Sequence, residues 1–593
     1  MSMKNKPVKK KSQGKQIPAV KKSAAASLPT KKPYLFYGAM MVLFMVVIIV
    51  FSPMVKNDFI NTWDDGVYVI HNQLLHDLSW QGLVNIFSYG DDFQRLINNY
   101  HPLTTLSLAL NYQLSGLSPA SYQTTNMILH GFNAMLVFVF VWLLAGRKLL
   151  PAAIAAFLFA VHPVHVESVA WVSERKDVLY TLFFLAGLIT YLKYLEDEKT
   201  WKLVLAFLFF ILSCLSKAMA VSFPVILLLT DFFQRRKFTW RLVIEKLPFF
   251  IVAILIGVMS VKLQSLSAIN EFETFTLYQR IMHASYGLIS YFINFLYPAG
   301  LSAFYPYPAI SPTGLLPPLF RIAPYVCLAL AGILVWLTVR KGEIPRMIVF
   351  GILFYFFTIA LVLQFLSVGK AIMADRYTYI PYIGLSFIIG MLIDHLIHRR
   401  SPLKYAGYGL AVASLVMSIV FAYLTNARTK VWKDDETLWS DVLRQYPDGR
   451  MNFIYEKRAR EYLDKDRYEA ALADYKTIVS NDPRDDNALE CIGRIYGKYY
   501  HDMGKSVENL EKAYAVNPEN PAVLKSLGVA MGMQGKFGKS LDYLLQAYEI
   551  DKTDTNLLRN IAASYNYAGL PAKAREFEKK LHLQQLDSKT DHR

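Results

Sequence analysis

Cysteine is almost absent from this chain, with three in 593 residues. Cys214 and Cys327 fall in apolar runs and Cys491 in a polar helical stretch, so no disulfide framework is encoded. Charge is scarce as well: Asp, Glu, Lys and Arg make up 18%, against 54% hydrophobic and 14% aromatic residues. With a mean hydropathy of +0.26 this composition excludes an ordinary soluble globular chain. The scarcity is local. From about residue 33 to about 425 the chain repeats apolar runs of roughly twenty residues, the length needed to cross a hydrocarbon core as helix. From 431 to 593 it is polar and evenly charged. Also lacking is a small-residue cleavage site after the first run, Pro33 to Val55, which is too long for a signal-peptide core and therefore reads as a retained span.

What charge there is has a direction. The net charge of +17 would suggest a nucleic-acid partner, but Lys4, Lys6, Lys9, Lys10, Lys11, Lys15, Lys21, Lys22, Lys31 and Lys32 crowd into residues 1–32. A polybasic flank before a span holds that end in the cytoplasm and needs no nucleic acid. The same rule assigns Lys193 to Lys202, Arg235 to Arg241, Arg340 to Arg346 and Arg399 to Lys404 to inner loops. All of them face inward only if the stretch 281–298, with His283 and Asn294, is interfacial or re-entrant. That leaves about eleven spans, with residues 56–119 and the C-terminal region outside.

The conspicuous polar residues then collect at the outer face. Trp63, Asp64 and Asp65 follow the first span, Glu167 and Arg175 follow another, and Lys217, Lys370, Asp375, Arg376 and Tyr377 flank later ones. Lys176 and Asp177 adjoin Arg175. Cations on the outer side run against the usual loop bias and suit a lipid phosphate. Asn126, His130 and Asn133 share one helix face, as either interhelical hydrogen bonding or substrate contact. His162 and His165 with Glu167 leave a divalent metal open, although Pro163 interrupts the helix such spacing would need. Asp375 beside Arg376 reads equally as a local ion pair anchoring a helix end.

After Trp432 the pattern is that of tetratricopeptide repeats. Tyr455, Tyr462, Ala471, Tyr475 and Pro483 mark one copy, Leu489, Gly493, Tyr496 and Pro518 a second, Leu524, Gly528 and Ala547 a third, and Leu558, Ala562, Tyr565 and Ala574 a fourth. Residues 436–447 read as a lone helix joining the array to the last span. Stacked repeats leave a concave groove for an extended peptide or protein partner.

The order of Trp63-Asp64-Asp65, Tyr100-His101-Pro102-Leu103-Thr104, Asn126/His130/Asn133, His162 through Val172, Ser216-Lys217 and Met373 through Tyr377, followed by repeats, resembles the transmembrane and tetratricopeptide-repeat family of protein O-mannosyltransferase-like enzymes. This chain departs from many members in carrying Ala218, where they have proline. The resemblance implies an all-α protein: a membrane domain over 33–430 of the GT-C glycosyltransferase type, then a repeat solenoid over 431–593. It implies a polyprenyl-phosphate-linked sugar as donor, no certain cofactor, and a protein acceptor held by the repeats. Asp64 or Asp65 would be the general base, and Arg175, Lys217, Arg376 and Lys370 would meet the donor phosphate. Trp63, His101, His130, His162, His165, Glu167, Asp375 and Tyr377 would line the pocket. A bacterial inner membrane is the expected location. The rival reading is a membrane-anchored repeat scaffold. A transporter is disfavoured by the lack of mid-membrane charges and of internal repeats among the spans.

Overall fold

The computed structural model of the protein describes residues 33–90, 97, 99–265, 275–308, 310–311, 314–365, 369–447 and 451–590. The basic tail of residues 1–32 lies outside the described residues. Proline opens Pro102–Ser115, Pro119–Leu144, Pro318–Val339 and Pro381–Ile397, where its missing N–H is no loss. Asp434, Asp485, Asp502, Asn520 and Asp554 cap helices of the C-terminal region through their side-chain oxygens.

Seven described helices are long and apolar enough to cross a membrane: Pro33–Lys56, Pro119–Leu144, Val172–Asp197, Trp240–Gln264, Pro318–Val339, Glu343–Val362 and Leu403–Trp432. Leu149–Ala160 and Pro163–Ala170 form a pair bent by 52°, the bend falling at Pro163. Three shorter apolar helices, Thr200–Ser216, Ala218–Phe233 and Pro381–Ile397, pack among them. Eleven spans require the bent pair and each of these three to cross. The stretch expected to be interfacial is the helix Leu277–Leu296, which is not among the seven. The all-α expectation holds, apart from a two-stranded antiparallel ladder that pairs Tyr305 with Met373 and Pro306 with Ala371.

Small residues decide how closely the helices approach. A Cβ on Gly351 would stand 2.6 Å from the Gly384 carbonyl oxygen, and one on Gly384 2.5 Å from that of Gly351. Backbone therefore meets backbone where Glu343–Ile359 crosses Pro381–Ile397. The C-terminal region repeats the device. Its helices pair as Asn452–Asp464 with Tyr468–Asn481, Asp486–Lys498 with Met503–Val516, Pro521–Met533 with Phe537–Ile550, and Thr555–Tyr567 with Pro571–Thr590. A Cβ on Gly493 would meet Leu510 at 2.6 Å, and one on Gly528 would meet Leu544 at 2.5 Å. These are the helix-turn-helix units of a repeat solenoid. The solenoid is not tethered by a free linker: Trp432, Leu438, Trp439, Val442 and Ile454 belong to the same buried cluster as the spans.

Gly351→Val should force these two helices apart, at a cost of about 1–3 kcal/mol. Gly257→Val, where nothing lies within 4 Å, serves as the control. The expected outcome is a lower thermal midpoint and loss of the monodisperse peak in detergent for Gly351→Val alone. Equal behaviour of the two variants would contradict the close crossing.

Candidate functional site

The loop after the first span is folded so that its two adjacent carboxylates part company. Asp65 is fully buried and accepts hydrogen bonds from the Ile60 N–H at 2.9 Å, the Ser173 N–H at 2.8 Å and the Ser173 hydroxyl. Burial pushes its carboxyl up to about 7, against the downward pull of those donors. It ties the loop to the turn at 172–174. Asp64 points the other way, with 36% of its side chain exposed and its Oδ2 3.5 Å from the Lys176 ammonium. Of the two, Asp64 is the one open to a ligand.

From Asp64 a chain of ion pairs runs inward. Lys176 also meets Glu174 Oε1 at 3.2 Å, and the same oxygen takes Arg376 Nε at 3.3 Å. Glu174 Oε2 holds Lys217 at 3.2 Å, while Lys217 also bonds Asp177 and Arg376 also bonds Glu167. Three cations from three distant segments thus converge on one carboxylate. Arg376 is the most open of them, its side chain 19% exposed, and its guanidinium lies 5.4 Å from the Trp171 ring centre. Lys176 sits 4.7 Å over the ring of Tyr68, whose hydroxyl is 3.4 Å from His101 Nδ1. Burial, with Lys176 and Lys217 nearby, holds His101 well below the usual imidazole range, so it stays neutral.

Other expected site residues lie elsewhere. Arg175, expected at the donor phosphate, turns into the bundle, fully buried, and gives its N–H groups to Asn126, Ser107, Asn111 and the Tyr122 carbonyl. It clamps helices together. His130 bonds the Tyr379 hydroxyl at 2.6 Å and the Ala160 carbonyl at 3.1 Å, and Asn126 and Asn133 bond backbone carbonyls across helices. The stripe is therefore interhelical hydrogen bonding. His162 donates to the Phe295 carbonyl and His165 to that of Phe159, while Glu167 is taken by Arg376. This arrangement does not fit a metal on those three residues, and among the described residues no group of His, Cys, Asp and Glu is gathered to hold one.

Asp375 corrects another expectation. It does not pair with its neighbour Arg376 but accepts from the Tyr305 hydroxyl at 2.7 Å. Burial, reinforced by Glu167, pushes its carboxyl up to about 8. Tyr377 lies with its ring centre 5.0 Å from the Arg376 guanidinium. Lys370 lies apart, its ammonium 5.0 Å over the ring of Phe453 in the first repeat.

Trp63 is an anchor between domains. Its ring centre is 4.2 Å from that of Trp171, 5.0 Å from Trp439 and 6.4 Å from Trp432. Beside it, Asp435 accepts from the Asn61 N–H at 2.8 Å and the Thr62 N–H at 3.0 Å, and Trp439 donates to the Thr62 hydroxyl at 2.8 Å. The first helix after the last span is therefore bolted to the residues just before Asp64. A polar groove of about 870 Å³ opens there, lined by Asn61, Thr62 and Lys370 on one side and by Asn452, Glu456 and Asn487 of the repeats on the other. A mainly apolar groove of about 1230 Å³ lies between the helices Leu277–Leu296 and Pro318–Val339. Tyr305, Met373 and Tyr446 line it too.

Lys176 stands out in the sequence only together with Arg175, and Glu174 carries no expected role there. The signal was present: consecutive residues on a helix point about 100° apart, so Arg175 and Lys176 could not both face one site.

The fold and site together define a polytopic membrane protein with a repeat solenoid docked on a charged face of the bundle. No family model matches the chain. It is similar to protein O-mannosyl-transferases: to human TMTC4 at 34% identity over 181 residues, 27% of this chain and 24% of that one. Human TMTC3 is 36% identical over 136 residues, 22% of this chain and 14% of its own. The Caenorhabditis elegans protein O-mannosyl-transferase F38B6.6 is 26% identical over 426 residues, 69% of this chain and 58% of its own. The chain thus spans less than two thirds of the length of each. A crystal structure of MamA protein aligns over 26% of this chain and 82% of its own at 18% identity and a TM-score of 0.23.

The two carboxylates should separate experimentally. Asp65→Asn places an amide where donors already point, which should cost about 1–3 kcal/mol of stability. Asp64→Asn should change stability by no more than about 0.5 kcal/mol. Thermal midpoints in detergent compare them, and a fully stable Asp65→Asn variant would remove the structural assignment.

Proposed function

We propose that the protein is an integral-membrane glycosyltransferase that moves a sugar from a polyprenyl-phosphate-linked donor to a hydroxyl of a protein Ser or Thr. The observation that carries the reading is the rim formed by Asp64, Lys176 and Arg376: one partly exposed carboxylate beside cations at one face of the bundle. Asp64 takes the proton of the acceptor hydroxyl as that oxygen forms its bond to the anomeric carbon. The bond from that carbon to the phosphate oxygen breaks, its electron pair leaving with the lipid phosphate. Arg376, the most open cation, meets that phosphate, with Lys217 behind it.

The two grooves support the division of labour. The larger is mainly apolar and reaches Tyr305, whose hydroxyl touches Asp375 next to Arg376, so a lipid chain lying there would have its phosphate near the cations. The polar one would bring an extended polypeptide along the repeats to Thr62, two residues from Asp64. The names of the similar proteins agree with a protein acceptor and with mannose as the sugar to test first. In this reading the N-terminus is cytoplasmic and the repeats lie outside.

Purified protein in membranes, given a panel of polyprenyl-phosphate sugars, should release sugar from one of them. Asp64→Asn should slow transfer about a hundred- to ten-thousand-fold. Arg376→Gln should mainly raise the donor KM. A scaffold would release none from any donor and would be indifferent to both changes. Orientation has its own check: Lys536→Cys in the third repeat should react with a membrane-impermeant reagent from the outer side. Labelling only from the cytoplasm would overturn the arrangement of both substrates.

A further inference from the structure

The charged network has an odd count. Asp64, Glu167, Glu174 and Asp177 supply four carboxylates, and Lys176, Lys217 and Arg376 three cations, each cation already in contact with at least one carboxylate. A lipid phosphodiester carries one negative charge, but the phosphate that departs carries two. An extra charge beside a network in which carboxylates already outnumber cations is expensive.

Resting on the glycosyl-transfer reading, we propose that Lys176 is a further catalytic residue, an ammonium that changes partner from Asp64 to the departing phosphate during the reaction. The geometry is a relay. Lys176 Nζ lies 3.5 Å from Asp64 Oδ2, where the proton arrives, and 3.2 Å from Glu174 Oε1. That oxygen is 3.3 Å from Arg376 Nε, on the side where the phosphate is held. When Asp64 accepts the acceptor's proton it loses its charge, and Lys176 loses an ionic partner. In the same step the breaking bond leaves its electron pair on the phosphate, which gains a charge. The ammonium is freed at the moment and place where an anion forms, and the total charge of the site does not change. Tyr68 and Trp171, whose ring centres are 4.7 and 5.8 Å from the ammonium, give it an aromatic surface on which to pivot. Glu174, buried and shared with Arg376 and Lys217, keeps the swing short.

The experiment measures donor KM and kcat for Lys176→Met, Lys176→Gln and Lys176→Arg, with Asp64→Asn and Arg376→Gln in the same membranes. Loss of an interaction made only in the transition state should lower kcat about a hundredfold in the Met variant while KM stays within about threefold. Lys176→Arg keeps the charge and should recover at least about tenfold of that loss. If the Met variant fails to fold, the Gln and Arg variants make the same comparison. In the Asp64→Asn background the ammonium has no carboxylate at 64 to leave and can meet the donor phosphodiester already in the ground state, so adding Lys176→Met there should raise the donor KM, which it does not in the single variant. A donor KM for the double variant equal to that of Asp64→Asn would overturn the coupling, and so would a raised KM with unchanged kcat in the single Met variant. If Asp64→Asn and Arg376→Gln slow the enzyme but Lys176→Met does not, only this inference falls. If none of the three matters, the glycosyl-transfer reading falls with it.

Discussion

The charged face of the bundle is organised by one carboxylate. Glu174 is buried at the start of a span and holds Lys176, Lys217 and Arg376 within 3.2–3.3 Å. Removing ionised groups from water costs several kcal/mol per ion unless each is paired and hydrogen-bonded, and Glu174 is the one carboxylate that all three cations share. They arrive from a helix start, from the break after Thr200–Ser216 and from the turn before Pro381–Ile397, so the carboxylate fixes three chain segments relative to one another. Such a network is poor evidence of stability, since apolar side chains would pack as well. It is better understood as the means by which a membrane bundle holds a defined set of charges at its surface.

The second constraint is the rigid connection between the repeats and the first loop. Asp435 and Trp439 grip Thr62 while Trp63 stacks among Trp171, Trp432 and Trp439. Lys457 of the first repeat bonds the Thr62 carbonyl. The direction of Asp64 is therefore set from both sides, by the bundle through Asp65 and by the solenoid through Thr62. A repeat array joined by a free linker could gather partners, but it could not present them to one carboxylate in a fixed geometry.

Periodicity and composition were enough to read the architecture. Apolar runs of span length, and glycine or alanine at the repeat crossings, each act locally, so one sequence displays them. The clustering of Asp64, Lys217, Glu167 and Arg376 was legible for a related reason: a bilayer reduces three dimensions to two faces, and these residues fall at the ends of spans that share one of them. What could not be read was pairing. Arg175 looked like a phosphate ligand because its acceptors, Ser107, Asn111, Asn126 and the Tyr122 carbonyl, are neutral groups with no marked pattern. His162 and His165 looked like ligands because backbone carbonyls, their actual partners, leave no trace in sequence. Tryptophans 63, 171, 432 and 439 come together across 376 positions, beyond any periodic signal.

A regularity ties these successes and failures together. Three adjacent pairs, Asp64-Asp65, Arg175-Lys176 and Asp375-Arg376, each divide into a residue that is locked and a residue that faces the charged rim. Asp65 is locked by Ile60 and Ser173, Arg175 by its four neutral acceptors, and Asp375 by the Tyr305 hydroxyl. In a helix-like turn the neighbour then points about 100° away. Asp64, Lys176 and Arg376 are those three neighbours, and they form one continuous chain of contacts through Glu174 Oε1. Long flexible side chains at a membrane surface would otherwise sample many rotamers. A buried, fully bonded residue next in sequence fixes the backbone beneath each of them, so the entropy of ordering the rim is met in the interior, by groups that need never touch a ligand.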